Sequence, residues 1–225
     1  MILAARGDTT HARVALEKLC QTYWPPIYAF TRRQGNSPHD AQDLTQEFFA
    51  RLLEKNYLAD VDRGKGKFRS FLLASLKHFL LNEWDKAKAQ KRGGKKTFIS
   101  IDEKAAESFC AVDLPDRVDA EKIFERRWAI TLLDATLSRL REEYVADGKK
   151  ELFEHLKDTL TGERSAIPYA TIATQLGTTE GNVKVAVHRL RQRYREVLRA
   201  EIADTVSSRD EVEEELRNLF AVLSS

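Results

Sequence analysis

With 225 residues, 32% of them charged and 42% hydrophobic, and with only ten glycines and five prolines, the chain has the composition of an ordered, helix-rich protein of one domain or two small ones. Cys20 and Cys110 stand far apart and the five histidines are scattered, which argues against a disulfide framework or a zinc site. No apolar run approaches a membrane span and residues 1–6 are too short for an export signal, so a cytoplasmic protein is expected.

The net charge of only +2 conceals an uneven distribution, because residues 63–96 carry eleven Lys and Arg against Glu83 and Asp85, a candidate surface for a polyanion. Val14, Leu16, Leu19, Tyr23, Ile27 and Phe30 recur at helical spacing on one face. Pro25 and Pro26 interrupt that pattern and predict a kink or a split, since proline lacks the backbone donor and crowds the preceding turn. Residues 35–38 form a stop and a restart: Ser37 suits an N-cap, Pro38 the first helical position, and Asp40 the positive end of the helix dipole. In the helix that follows, over about 38–55, Leu44, Phe48 and Leu52 lie on one side and Asp40, Asp43, Glu47 and Glu54 on another. Such an acidic face fits a partner surface, a metal-binding carboxylate cluster, or a plain solvated face.

Residues 58–67, with Asp60, Asp62, Gly64 and Gly66, read as a loop, and 68–89 resumes helical patterning with Phe71, Leu72, Leu76, Phe79, Leu80 and Trp84 available for a core. A basic loop leading into an aromatic-rich helix suits single-stranded DNA, where bases stack on rings and phosphates follow the charge. Phe68, Phe71, Phe79 and Trp84 are nevertheless expected in the core more than as stacking platforms. The glycines lack the spacing and the terminal Lys-Ser/Thr pair of a phosphate-cradling P-loop. Beyond this helix, Lys86, Lys88, Lys91, Arg92, Lys95 and Lys96 offer charge to a phosphate backbone. Gly93 and Gly94 end it, and residues 97–119, with Pro115, read as a linker in which Phe98 to Ile101 is a short strand candidate.

Residues 121–144 are amphipathic through Ile123, Phe124, Trp128, Ile130, Leu133, Leu137 and Leu140, and 152–160 makes a shorter helix ending near Gly162. Two further helices, over 168–176 and 179–200, meet at Gly177 and Thr178, with Thr179 capping the second. On that second helix Val183, Ala186, Val187, Leu190, Tyr194 and Val197 share the core side, while Lys184, His188, Arg191 and Arg195 form a stripe about a quarter turn away. Such a helix can enter a major groove while its back packs on the protein. Glu180, Asn182, Lys184, Val185 and His188, near its start, are candidates for reading base edges, and Arg189, Arg191, Arg193 and Arg195 for holding phosphates. A solvated basic face is the alternative. Residues 201–225 add seven acids, two arginines and the apolar set Val212, Leu216, Leu219, Phe220 and Leu223. This amphipathic tail is expected to pack on the domain before it or to compete with DNA for the basic stripe.

The segment 169–195, through the Gly177 turn, resembles the promoter-reading C-terminal domain of sigma-70 family factors, above all the small extracytoplasmic-function group, in which it binds the −35 element. Asn182 stands where that group often has threonine. The segment 40–53 resembles the family's polymerase-docking helix, which implies that Asp40, Asp43, Gln46, Glu47, Phe48 and Arg51 contact core RNA polymerase. The segment 63–72, continuing into Lys77, His78 and Trp84, resembles the family's −10 recognition and strand-opening element and makes Lys65, Lys67, Arg69, Lys77 and His78 candidates. His78 stands where asparagine is frequent. The resemblance covers about 12–96 and 121–199; residues 141–150 form a longer insertion than the family pattern, and the tail lies outside it.

The expectation is therefore an all-α fold of two small helical domains joined by a linker, the C-terminal one a helix-turn-helix. Residues 1–96 form a region 2-like domain, 97–120 the linker, 121–200 a region 4-like domain, and 201–225 an acidic amphipathic extension. The leading function is a sigma factor that binds core RNA polymerase and directs promoter-specific initiation, with no catalytic activity and no cofactor. Promoter DNA and core polymerase are its partners, with room for an anti-sigma factor and no membrane. A helix-turn-helix repressor or activator is the alternative; a nuclease using metal on Asp40, Asp43 and Glu47 is the reading from another class.

Overall fold

Residues 10–54, 68–90, 119–160, 167–206 and 209–224 are described by the computed structural model, and their secondary structure is entirely helical. In chain order the elements are α1 (Thr10–Arg33), α2 (Pro38–Glu54), α3 (Phe68–Gln90), α4 (Ala120–Ala146), α5 (Lys150–Leu156) with a 3-10 turn (Lys157–Leu160), α6 (Tyr169–Gln175), α7 (Glu180–Ala203) and α8 (Arg209–Ser224). The expected loop over 58–67, the Gly93–Gly94 stop and the linker with its strand candidate lie outside the described residues.

Two compact units divide the chain: Met1–Thr131 together with Ala203–Ser225, and Leu132–Ile202. This division differs from the expected one at two places. It falls inside α4 instead of before it, because the first turns of α4 bury Ile123, Phe124 and Trp128 in the first unit while Leu140, farther along, belongs to the core of the second. The tail, expected against the helix-turn-helix, belongs instead to the N-terminal unit, where α8 buries Val212, Leu216 and Leu219. A Lys18 to Asp204 ion pair of 2.7 Å ties the start of the tail to α1.

In the first unit α1 is one continuous helix through Pro25 and Pro26, so the expected split does not occur. Burial outweighs the two missing backbone donors here: Leu19, Tyr23, Ile27, Tyr28 and Phe30 are all buried around the prolines, so tertiary packing holds a geometry that local propensity opposes. The restart is built as its residues require. Gly35 takes a positive φ of 88°, and Ser37 Oγ accepts the Asp40 backbone N–H at 3.1 Å at the head of α2. Phe48, Phe49 and Leu52 of α2 and Leu76 and Phe79 of α3 are buried, with the Phe48 and Phe79 ring centres 5.6 Å apart.

In the second unit Leu140, Phe153, Leu156, Ile172, Ala173, Val183, Val187, Leu190 and Val197 form one apolar cluster drawn from α4, α5, α6 and α7. The segment 141–150, expected as an insertion, is mostly helix: α4 runs on to Ala146 and a short turn leads to α5. Between α6 and α7, Thr178 N–H bonds to Ala173 O at 2.9 Å and Gly177 N–H to Thr174 O at 3.3 Å. This Schellman stop needs the positive φ of 61° that Gly177 adopts without strain. Thr179 Oγ1 then accepts the Asn182 N–H at 3.2 Å and starts α7.

Candidate functional site

Three sets of charged residues follow from this framework, and the first lies along α2. Asp40 is exposed and accepts the Ser37 hydroxyl at 2.7 Å; Asp43 lies 3.3 Å from His39 Nδ1. Glu47 is bonded to Arg51, one helical turn on, and Gln46 is half-buried. Asp40, Asp43 and Glu47 thus share an accessible acidic edge. Two expected members of that edge sit elsewhere. Phe48 is 4% exposed and belongs to the core, since its ring fills the α2–α3 interface. Arg51 turns toward α3, with its guanidinium 4.9 Å from the Phe79 ring centre and 2.8 Å from Glu83, which makes it a clasp between helices. Among the described residues no three His, Cys, Asp or Glu side chains converge as a metal site.

The second set is the basic stretch at α3. Lys65 and Lys67 lie outside the described residues. His78 is exposed, and Lys77 is half-exposed and bonded to Glu121 at the head of α4. Lys77, Leu81, Trp84, Phe30 and Glu121 line a cleft of about 240 Å³. Phe68 and Phe79 are buried as expected, whereas Trp84 is 38% exposed. Arg69 corrects its expected DNA-facing place. It is 6% exposed, stacks 3.9 Å from the Trp128 ring centre, and lies 3.1 Å from both Glu125 of α4 and Glu215 of α8. The same enclosure, by burial above all, pushes the Tyr23 hydroxyl above its ordinary pKa.

The third set is α7. Lys184, Val185, His188, Arg189, Arg191, Arg193 and Arg195 are all exposed, as are Glu180 and Asn182 near the helix start. Lys184 pairs with Glu180 at 2.7 Å, a bond that raises its pKa, and the Asn182 side chain donates to Thr178 Oγ1 at 3.0 Å. His188 and Arg195 make no hydrogen bond or ion pair among the described residues. Two arginines of the row are tethered. Arg191 donates through Nη2 to the Thr159 carbonyl at 2.8 Å, and Arg193 forks onto Glu143 at 2.8 and 2.9 Å. Those bonds hold the Glu143 carboxyl below the usual carboxylate range, so Arg193 fixes α7 to α4.

Residues 19–90, spanning most of α1 and all of α2 and α3, match the family model described as Sigma-70 region 2. This match supports a sigma-70 family sigma factor. The matched segment contains the acidic edge, the basic stretch and the Trp84 side of the cleft, and it supports a role in transcription initiation. No curated protein and no solved structure matches the chain. Among the described residues no helix is long and apolar enough to cross a membrane.

Sequence reasoning missed Glu125, Glu215 and Glu121, the acids that engage Arg69 and Lys77. For Glu215 a signal was present: Val212, Glu215, Leu216 and Leu219 share one helical face, and an acid inside an apolar stripe implies a buried cation opposite it.

Proposed function

We propose that the chain is a sigma factor of the extracytoplasmic-function type that binds core RNA polymerase and directs promoter-specific initiation. In this reading the acidic edge of α2, with Asp40, Asp43 and Glu47, docks on the polymerase; Gln46 borders it. The α3 end of the first unit, with Lys77, His78 and the Trp84 cleft, receives the opened −10 strand, whose bases stack on an exposed ring. The second unit reads the −35 element as a helix-turn-helix. Lys184, Val185 and His188 face base edges, and Arg189 and Arg195 meet phosphates, the first supplying sequence selection and the second salt-dependent affinity.

The observation that carries the reading is the coexistence of a region 2 segment with an outward basic stripe on a glycine-turned helix pair in the same chain. A repressor or activator needs the helix pair alone and leaves the region 2 segment without use.

The test is mixing the full chain with purified core polymerase and separating complexes by size. A sigma factor is expected to comigrate with core in a one-to-one complex. A chain that stays free of core while still binding duplex DNA is the repressor or activator instead.

A further inference from the structure

The tail helix α8 does not sit where its acidity suggested. Its buried face places Glu215, 2% exposed, against Arg69, the second residue of α3, two positions after the basic stretch 63–67. Glu125 closes the same guanidinium from α4, Trp128 covers its flat side, and Glu121 of α4 takes Lys77 further along α3. Carboxylates from later in the chain thus pair with Arg69 and Lys77, two of the cations expected to meet the −10 strand.

The energetics make this closure reversible. Two carboxylates face one guanidinium in a nearly dry site, and Arg69 Nε and Nη1 have no hydrogen-bond partner among the described residues, the 3.1 Å ion pairs lying off the bond direction. Removing charges from water without full hydrogen bonding gives back little of the desolvation cost, so such a pair confers specificity of docking more than strength. Helix α8 is also amphipathic, with Phe220 61% exposed and Leu223 37% exposed on its outer side, so its attachment rests on Val212, Leu216 and Leu219 beside the charge pair.

We propose that α8 is a C-terminal latch on region 2. Docked through Glu215, it withholds Arg69 from nucleic acid, and its displacement releases that cation. The proposal rests on the sigma-factor reading and adds its regulation: the free chain binds the opened strand weakly, and an event that lifts α8 strengthens that binding.

The full-length chain carrying Glu215→Gln tests it, because the substitution keeps shape and removes the charge that holds Arg69. The probe is a labelled single-stranded oligonucleotide of mixed sequence, titrated over a range of salt, with hydrogen exchange read across residues 211–223. Exchange in α8 is expected to quicken. Binding is expected to tighten roughly fivefold at low salt, and the salt slope to steepen by about 0.7, the signature of one added phosphate contact on a single strand. The double variant Glu215→Gln with Arg69→Met is expected to return to wild-type binding; Arg69→Gln serves if the methionine form does not fold. Quickened exchange with unchanged binding overturns the latch, as does unchanged exchange, or a gain that persists without Arg69. Core polymerase binding by the same proteins is scored separately: its absence in every form counts against the sigma-factor reading, and the oligonucleotide result still decides the latch.

Discussion

Arg69 and Arg195 come from equally basic stretches of the sequence, yet one is sealed between Glu125, Glu215 and the Trp128 ring while the other stands in water without a partner among the described residues. The difference does not come from their neighbours in the chain. A guanidinium at the start of α3 meets an acid delivered by the last helix, whereas α7 turns its apolar side to a core of its own and leaves its cations outward. Charge density in a sequence therefore reports which chemistry is available, and the tertiary partner decides whether it is presented.

The sharpest way to break this contrast is to remove each arginine. Arg69→Ala is expected to destabilise the fold by about 3–5 kcal/mol, because it leaves Glu215 buried without its cation, while Arg195→Ala stays within about 0.5 kcal/mol. Denaturant unfolding of both variants checks it, and equal losses would erase the distinction. Next in size, Asp43→Arg with Glu47→Arg is expected to weaken core polymerase binding about a hundredfold, as for two interfacial charge pairs reversed, and to leave duplex DNA binding unchanged. Competition against wild-type protein for core enzyme measures the first, and gel shift the second.

On the outward face, Lys184→Ala is expected to cost about 1–3 kcal/mol of discrimination between a bound site and a scrambled one. Arg195→Ala weakens both equally and lowers the salt slope by about 1. The smallest expected effect concerns pH. Hydrogen bonds from Lys157 and then Arg141 hold the Glu154 carboxyl down to about 2. A carboxyl whose folded pKa is depressed adds stability that is present above the ordinary carboxylate pKa and is lost as pH falls toward 2. Carbon-13 titration is expected to find Glu154 ionised through pH 3, and Lys157→Met with Arg141→Met to return it toward the ordinary range.

Much of the helical framework was legible because it is written in local pattern. Ser37 and Pro38 open α2, Gly177 and Thr179 separate α6 from α7, and the Val183, Val187, Leu190 and Val197 stripe faces the core that the helical wheel assigns to it. What was not legible depends on distant partners. The prolines of α1 read as a break because the buried side chains that hold the helix through them cannot be seen in a window of sequence. Arg51 read as a docking residue for the same reason, since its contacts come from Phe79 and Glu83 on another helix; Phe48 fits the apolar side that the helical pattern gave it, and not the docking edge that the resemblance implied. Trp84 errs the other way, a ring expected inside that borders an open cleft.

Purified core polymerase, the full-length chain and a genomic DNA library, with the 5′ ends of the transcripts mapped, test the account most directly. It calls for RNA that begins at discrete sites sharing two spaced sequence elements. Those starts should fade when Lys184 and His188 are replaced by alanine, while the polymerase remains bound. Transcripts without common start sites, or starts that survive those replacements unchanged, would contradict it.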